Sequence, residues 1–128
     1  MTAKRRFPAE ARSVAAARRF AIDRLSGLPA ETLDAVELMV SELATNCIRH
    51  AEAAFEVTIA RRGRQLRVEV TDDAGGTPTK RSPAPEEPRG RGLQIVEMFS
   101  DAWGVESGRG AGKTVWFVLG GAGAASTA

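Results

Sequence analysis

The sequence predicts an α+β fold, a two-layer sandwich in which a mostly antiparallel mixed sheet carries helices on one face. Hydrophobic residues recur at helical spacing over 13–25, 30–51 and 92–99. They alternate with polar residues over 55–73 and 102–119. The alternating segments form hairpins and not strand–helix–strand crossovers, which favours antiparallel pairing.

The first third of the chain is predicted to hold an edge strand and two helices. Residues 5–8 suit a short edge strand, because the proline that ends them is tolerated at sheet edges. Ser13 is a candidate N-cap for the helix over 13–25, and the sequence SGLP at 26–29 ends that helix. The second helix, over 30–51, is the longest predicted element.

The rest of the chain is predicted to form two hairpins with a loop and a helix between them. Gly63 marks the turn of the first hairpin, and the glycine-rich sequence at 108–112 marks that of the second. Residues 75–91 contain four prolines and three glycines. A loop of that length is usually functional or disordered, so we predict a mobile lid. Residues 120–128 are expected to be a flexible tail.

Composition is typical of one soluble domain, which we assign to residues 1–119. The chain has 128 residues, of which 43% are hydrophobic and 27% charged. The single cysteine, Cys47, indicates a reducing compartment, and no apolar run approaches the ~20 residues of a membrane helix, so a cytoplasmic location is expected. Residues 1–24 are rich in Lys and Arg, but aromatic residues do not interleave with them, so we predict neither nucleic-acid nor membrane binding.

The large apolar side chains outside the motifs described below are predicted to build the core rather than to contact a ligand. All of them lie in elements with a regular apolar period. They are Met39, Met98, Phe99, Trp103, Trp116 and Phe117.

A line of polar residues runs along the second helix. Glu42, Asn46 and His50 recur at every fourth position, which keeps them on one side of an α-helix, and Arg49 leans toward that side. Apolar neighbours flank the line, so a buried carboxylate or amide there needs a partner. A carboxylate and an amide one turn apart suit Mg²⁺ with its waters, or a hydroxyl awaiting deprotonation. The exposed face of an ordinary amphipathic helix is the alternative, and this helix alone does not decide between them.

Two aspartates and two glycines follow the second strand of the first hairpin. Strand alternation predicts that Asp72 shares the inward face with Val68 and Val70, whereas Asp73 points to the other face. Glycines beyond it let a backbone approach a flat ligand closely. An ordinary turn has the same composition, so the motif is weak alone.

Glycines also precede the third helix. Gly90 and Gly92 offer backbone N–H groups and the positive end of a helix dipole to phosphate oxygens. The sequence GRGAGKT at 108–114 superficially suggests a P-loop, but the required spacing G-x-x-x-x-G-K-S/T fails and Lys113 opens an apolar strand. We therefore reject a P-loop.

Taken in order, these motifs resemble those of a known superfamily. E-x-x-x-N at 42–46, D-x-x-x-G at 72–76, G-x-G-L at 90–93 and GKT at 112–114 resemble the N, G1, G2 and GT boxes of the GHKL ATPases, which include gyrase-type and histidine-kinase ATP-binding domains. VSELATNCIRHA, GRGLQIVEMFSDAWGV and GKTVWFVL look most like the RsbW-like anti-sigma factor serine kinases of actinobacteria. The resemblance covers roughly residues 5–119 and implies the histidine-kinase/gyrase-type ATPase fold.

The resemblance implies a role for each matching residue. Glu42 would be the general base that deprotonates a protein serine, and Asn46 would hold Mg²⁺. Asp72 would accept a hydrogen bond from the adenine amino group, Gly76 would leave room for the base, and Thr114 would support that end through its hydroxyl or a water. Contacts near the phosphates of ATP would come from Arg49, His50, Gly90, Arg91, Gly92 and Leu93.

The same resemblance implies a function. The chain would be an ATP-dependent serine/threonine protein kinase of the anti-sigma type, which phosphorylates a STAS-domain anti-anti-sigma protein, binds a sigma factor and forms a homodimer. One departure from the pattern D-x-G-x-G leaves an alternative open, because Ala74 stands at the first glycine. In that alternative, the chain is an inactive ATP-binding module that sequesters a partner. A detached histidine-kinase catalytic domain fares worse, since the only histidine, His50, lies inside the N box.

Overall fold

The computed structural model describes residues 1–73, 89–107 and 112–120. In chain order the elements are β1 (Thr2–Phe7), α1 (Arg12–Asp23), α2 (Ala30–Asn46), a π-helical turn (Cys47–Ala51), β2 (Phe55–Arg62), β3 (Gln65–Asp72), α3 (Arg89–Phe99), β4 (Ala102–Ser107) and β5 (Lys113–Leu119). The predicted lid falls largely on residues 74–88 and the predicted tail on 121–128, and both lie outside the described residues.

The strands form one open sheet in the order β1-β2-β3-β5-β4. Every pair of neighbouring strands in the described residues is antiparallel, so both predicted hairpins are confirmed and the sheet is antiparallel rather than mixed. Gly63 takes a positive φ of 64° at the turn between β2 and β3, a conformation that glycine adopts without steric cost. The predicted α+β class with two layers is confirmed.

The core lies between the helices and one face of the sheet. Phe55, Val57 and Ile59 of β2 are fully buried, whereas the residues between them are only half-buried, as strand alternation requires. Phe7 of β1 stacks on Phe55 with ring centroids 5.4 Å apart and meets Phe20 of α1 edge to face at 6.0 Å. These aromatic contacts fix the edge strand and the first helix to the centre of the sheet.

The other face of the sheet carries polar residues and Trp116. The Arg67 guanidinium lies 4.4 Å from the centre of the Trp116 ring, a cation–π contact. Gly104 of β4 provides the space for this ring, because a Cβ atom there would lie 2.7 Å from Trp116. The prediction that Trp116 belongs to the core is therefore wrong. The alternating apolar pattern identifies β5 as a strand, but it does not show which of its residues face the helices.

Helix α1 begins differently from the prediction. Ser13 is not its N-cap but a buried residue inside the first turn, and its hydroxyl donates a 2.7 Å hydrogen bond to the Pro8 carbonyl oxygen. The residue at the N-cap position is Ala11. The serine side chain thus ties the helix to the end of β1, an interaction that sequence spacing cannot distinguish from a cap.

Helices α2 and α3 pack against each other in opposite directions. Gly92 in the first turn of α3 lies against Asn46 at the end of α2. At the other end, Phe99 of α3 and Leu38 of α2 line the same groove. No helix within the described ranges is long and apolar enough to cross a membrane.

Candidate functional site

The first part of the candidate site lies at the end of α2. Glu42 and Asn46 are half-buried and lie one turn apart on this helix, as the polar line predicts. A Cβ atom on Gly92 would overlap the Asn46 side-chain amide. Only glycine therefore allows α3 to begin this close to Asn46, and the N and G2 boxes are in direct contact.

The helix continues from Asn46 as a π-helical turn and not as regular α-helix. Within this turn Arg49 is exposed, and His50 is half-buried with its Nε2 atom shielded from solvent. The turn ends at Glu52, whose left-handed backbone (φ 51°, ψ 43°) directs the chain into β2. A π-helical turn is wider than an α-helical one. His50 is therefore rotated away from the position, four residues after Asn46 on a regular α-helix, that the sequence predicts.

The second part of the candidate site lies at the end of β3. Asp72 is 6% exposed and points toward the helices, whereas Asp73 is exposed and its Oδ2 atom lies 2.5 Å from the Arg6 guanidinium. The choice between the two aspartates by strand alternation is confirmed. Asp72 is the buried carboxylate of the described residues, and only an environment of donors or charges makes such burial favourable.

Gly112 brings the start of β5 against Asp72. A Cβ atom at this position would lie 2.5 Å from the Asp72 backbone oxygen and 3.7 Å from a carboxylate oxygen. Any other residue would push the two strands apart at the point where the carboxylate is held. The G1 and GT boxes are thereby in direct contact, as the N and G2 boxes are at the other end of the site.

Thr114 lies on the opposite face of the sheet from Asp72. It pairs with Thr71 in the register, and the two hydroxyl oxygens are 2.7 Å apart. Residues directly opposite each other on antiparallel strands share a face, so Thr114 points away from the helices with Thr71. The contact between the two hydroxyl groups joins β5 to β3.

Lys113, one position earlier, is on the inward face with Asp72. The buried Cys47 thiol responds to both charges: its pKa rises to about 12, first because burial removes it from water, then because of Asp72, while Lys113 acts in the opposite direction. Three elements thus meet here, namely the π-helical turn, β3 and β5. Strand parity, which separates Asp72 from Asp73, is also the sequence signal that identifies Lys113.

The remaining predicted site residues are described only in part. Gly76 and the deviating Ala74 lie outside the described residues, as does the Arg91 side chain. Gly90 belongs to the first turn of α3, and Leu93 is half-buried against the core. Helix α3 therefore begins earlier than the predicted 92–99, at Arg89, and its N-terminus is directed at the end of α2.

The arrangement suits a nucleotide with a cation. The N-terminus of α3, whose backbone N–H groups favour an anion, lies against Asn46, and a buried carboxylate lies at the other end. Among the described residues, no group of three or more His, Cys, Asp or Glu side chains could hold a metal by itself. A Mg²⁺ ion here would need the Asn46 amide oxygen, water and ligand phosphates, which is its usual mode in nucleotide sites.

Comparisons with known proteins agree with this fold. The chain is similar in structure to the crystal structure of the RsbU and RsbW domains of Rv1364c from Mycobacterium tuberculosis, with a TM-score of 0.71 and 17% sequence identity. The match covers 93% of this chain but only 31% of that one, so the chain spans about a third of its neighbour, and the likeness shows the fold. A comparison with curated proteins gave no significant match. Residues 7–119 match the histidine kinase-like ATPase domain family. With that match covering most of its length, and with all four motif regions in the expected order, the chain belongs to the histidine kinase-like, or GHKL, ATPase family.

Proposed function

We propose that the chain is an ATP-dependent serine/threonine protein kinase of the anti-sigma type, which phosphorylates a STAS-domain protein and binds a sigma factor. The observation that carries this proposal is the pairing of motifs: Asn46 meets Gly92 at one end of the site, and Asp72 meets Gly112 at the other. Membership of the ATPase family supports ATP binding. The RsbW domain in the structural neighbour supports the anti-sigma type.

Each end of the site has its own part in binding. Asp72 accepts a hydrogen bond from the adenine amino group, because its carboxylate oxygens are acceptors and lie on the inward face. The N-terminus of α3 binds phosphate oxygens through backbone N–H groups, and Gly92 allows that end to lie close to Asn46. The Asn46 amide oxygen holds Mg²⁺, which neutralises phosphate charge when it is bound.

Glu42 is the proposed general base. It lies one turn before Asn46 on the same helix, about 6 Å along the axis, and it is half-buried. A carboxylate in this position accepts the proton of a serine hydroxyl presented beside the nucleotide. The helix holds it at a fixed distance from Asn46, so substrate hydroxyl and phosphate are oriented by one rigid element.

A phosphate-transfer assay tests the proposal. Glu42→Gln keeps the shape of the side chain but removes the base, so ATP affinity should stay within about twofold while transfer to a STAS-domain protein falls by about 100-fold or more. Glu37→Gln is the matched control, since Glu37 is an exposed glutamate of the same helix that pairs with Arg18. Transfer at the wild-type rate by Glu42→Gln would remove Glu42 from the mechanism.

The second candidate is a module that binds ATP and sequesters a partner without chemistry. Ala74 at a glycine position of the G1 motif favours it. Labelled γ-phosphate distinguishes the two candidates: a kinase labels its STAS partner, whereas a sequestering module leaves each candidate partner unlabelled although it binds ATP. An Ala74→Gly variant that gains transfer would assign the loss of activity to this residue.

A further inference from the structure

An exposed apolar groove lies at the end of α2 and α3 that is remote from Asn46. Its volume is about 420 Å³. Its lining, which we call the α2–α3 groove, consists of Glu31, Thr32, Asp34, Ala35, Leu38, Met98, Phe99 and Leu119. Leu38 precedes Asn46 by eight positions, or about 12 Å along the helix, so the groove is separate from the nucleotide site.

The floor of the groove contains large apolar side chains in contact with water. Met98 is 71% exposed, Phe99 43% and Leu38 37%. Other large apolar residues of α2 close to Leu38 in the sequence, such as Val36 and Met39, are fully buried. Both Met98 and Phe99 were predicted to be core residues, and that prediction is wrong. Adjacent exposed apolar side chains in one concavity mark an interaction surface more often than single ones do.

The rim of the groove is acidic. Glu31 and Asp34 are exposed, and none of the described residues that line the groove is basic. Glu97 and Asp101, both exposed, flank the Met98–Phe99 pair in the sequence. The chain as a whole has a net charge of +2, so this acidic region is local and contrasts with the basic residues of β1 and α1.

Helix stability explains only part of this arrangement. Glu31 lies in the first turn of α2, where the helix dipole favours acidic side chains. The Asp101 carboxylate accepts a 2.8 Å hydrogen bond from the Gly120 backbone N–H, so it also has a structural role. Neither effect accounts for the apolar floor. An apolar floor with a rim of one charge is complementary to a segment that carries an apolar stripe and the opposite charge.

We propose that the α2–α3 groove docks a basic amphipathic helix of a protein partner. Two antiparallel helices form its walls, and an amphipathic helix places apolar residues at intervals of three and four positions into such a groove. Met98 adapts its unbranched side chain to the occupant, and Phe99 supplies an aromatic anchor. Lysine and arginine residues along the edges of the docked helix face Glu31 and Asp34. This surface does not depend on the proposed kinase chemistry.

A peptide titration with the full chain tests the docking. The probe is an 18-residue helical peptide of Leu and Lys with leucines at helical spacing, compared with the same pattern in Leu and Glu and with a scrambled Leu/Lys sequence. We expect the Leu/Lys helix to bind at least about fivefold more tightly than either comparison at low salt, since exposed charge pairs contribute up to ~1 kcal/mol each. Amide shifts in NMR spectra should concentrate at Leu38, Met98 and Phe99.

Variants on the surface distinguish docking from nonspecific attraction. Met98→Ser and Asp34→Lys should each weaken binding of the Leu/Lys helix by about fivefold or more, with no change in ATP affinity. Val105→Ser is the matched control, because Val105 is also an exposed apolar residue but lies on β4 outside the groove. Thermal unfolding and ATP binding show that each variant is folded.

Four outcomes would overturn the proposal. The first is equal affinity for the basic and the acidic helix, and the second is an equal loss of peptide affinity in Val105→Ser and Met98→Ser. The third is a set of NMR amide shifts that map outside the α2–α3 groove. The fourth is self-association of the chain through Met98 that excludes the peptide. Binding to anionic vesicles that Met98→Ser abolishes, without binding to the peptide, would assign the surface to a membrane instead. A lack of phosphate transfer to a STAS-domain protein would not change the interpretation of any of these binding experiments.

Discussion

Gly92 lies so close to the side-chain amide of Asn46 that no Cβ atom fits between them. The N-terminus of α3 and the C-terminal end of α2 are thereby held together at the place where both are proposed to meet the phosphates and the metal. A larger side chain at either position should change the distance between the proposed metal ligand and the proposed phosphate-binding N–H groups.

Gly92→Ala should weaken ATP binding in the presence of Mg²⁺ by about tenfold or more, because the new methyl group displaces Asn46 or the first turn of α3. Calorimetry measures the affinity. The chain should remain folded, since alanine favours helix over glycine by roughly 1 kcal/mol and offsets part of the crowding. Gln94→Ala, an exposed position of the same helix, is the control and should bind ATP as the wild type does. Unchanged affinity in Gly92→Ala would show that this contact is structural only.

The two neighbouring aspartates should respond differently to the same substitution. Asp72→Asn replaces the buried carboxylate with an amide that has a donor in place of one acceptor, so the affinity for ATP should fall by about tenfold or more. Asp73→Asn loses only the exposed pair with Arg6 and should change ATP affinity by less than about twofold and stability by less than about 1 kcal/mol. Comparable losses of ATP affinity in both variants would contradict the assignment of Asp72 as the carboxylate that binds adenine.

Lys113 should contribute charge to nucleotide binding. It shares the inward face with Asp72, and its charge acts on Cys47, so it lies within electrostatic range of the proposed site. Lys113→Ala should weaken ATP binding by about threefold to tenfold at low ionic strength, and the difference from wild type should shrink at high salt because an exposed charge is screened. Lys4→Ala, an exposed lysine on the edge strand β1, is the matched control. A loss that does not change with salt would indicate a packing effect instead.

Sequence patterns predicted the elements better than they predicted which face a residue occupies. The period of two located β4 and β5 at their observed bounds, and parity chose Asp72 over Asp73 correctly. The same parity places Lys113, and not Thr114, on the inward face with Asp72. The resemblance to the GT box instead assigns the role at the site to Thr114. Face assignment needs the strand register, which depends on the partner strand and not on the strand alone.

Helix ends were the other source of error, and their causes are local. Ser13 has the sequence signature of an N-cap, yet its hydroxyl bonds to Pro8 and the helix begins one residue earlier. The second helix changes to a π-helical turn at Cys47, which no periodicity of apolar residues announces. Met98 and Phe99 follow the helical period of α3, yet both are exposed, because the period alone does not show which side chains a packing partner covers.

Cys47 should make the stability of the protein depend on alkaline pH. Burial, and then the negative charge of Asp72, raise the pKa of the thiol from 9.0 to about 12. The folded state therefore keeps its proton while the unfolded state loses it, so stability is fully present below pH 9 and falls as the pH rises through the folded pKa. Between these two pKa values, 9.0 and about 12, the free energy of unfolding should drop by about 1.4 kcal/mol per pH unit.

Urea denaturation at several pH values between about 8 and 11 tests this linkage in the wild type and in Cys47→Ala. The variant should be less stable by a roughly constant ~1 kcal/mol below pH 9, because a small buried group is lost. Above about pH 10, where the loss in the wild type exceeds this ~1 kcal/mol, the variant should become the more stable of the two, since it has no thiol to ionise on unfolding. The chain contains no tyrosine, so that source of alkaline titration is absent from both proteins. Parallel pH profiles for the two proteins would mean that Cys47 ionises as readily when folded as when unfolded, and the thiol would then be accessible to water in the native state.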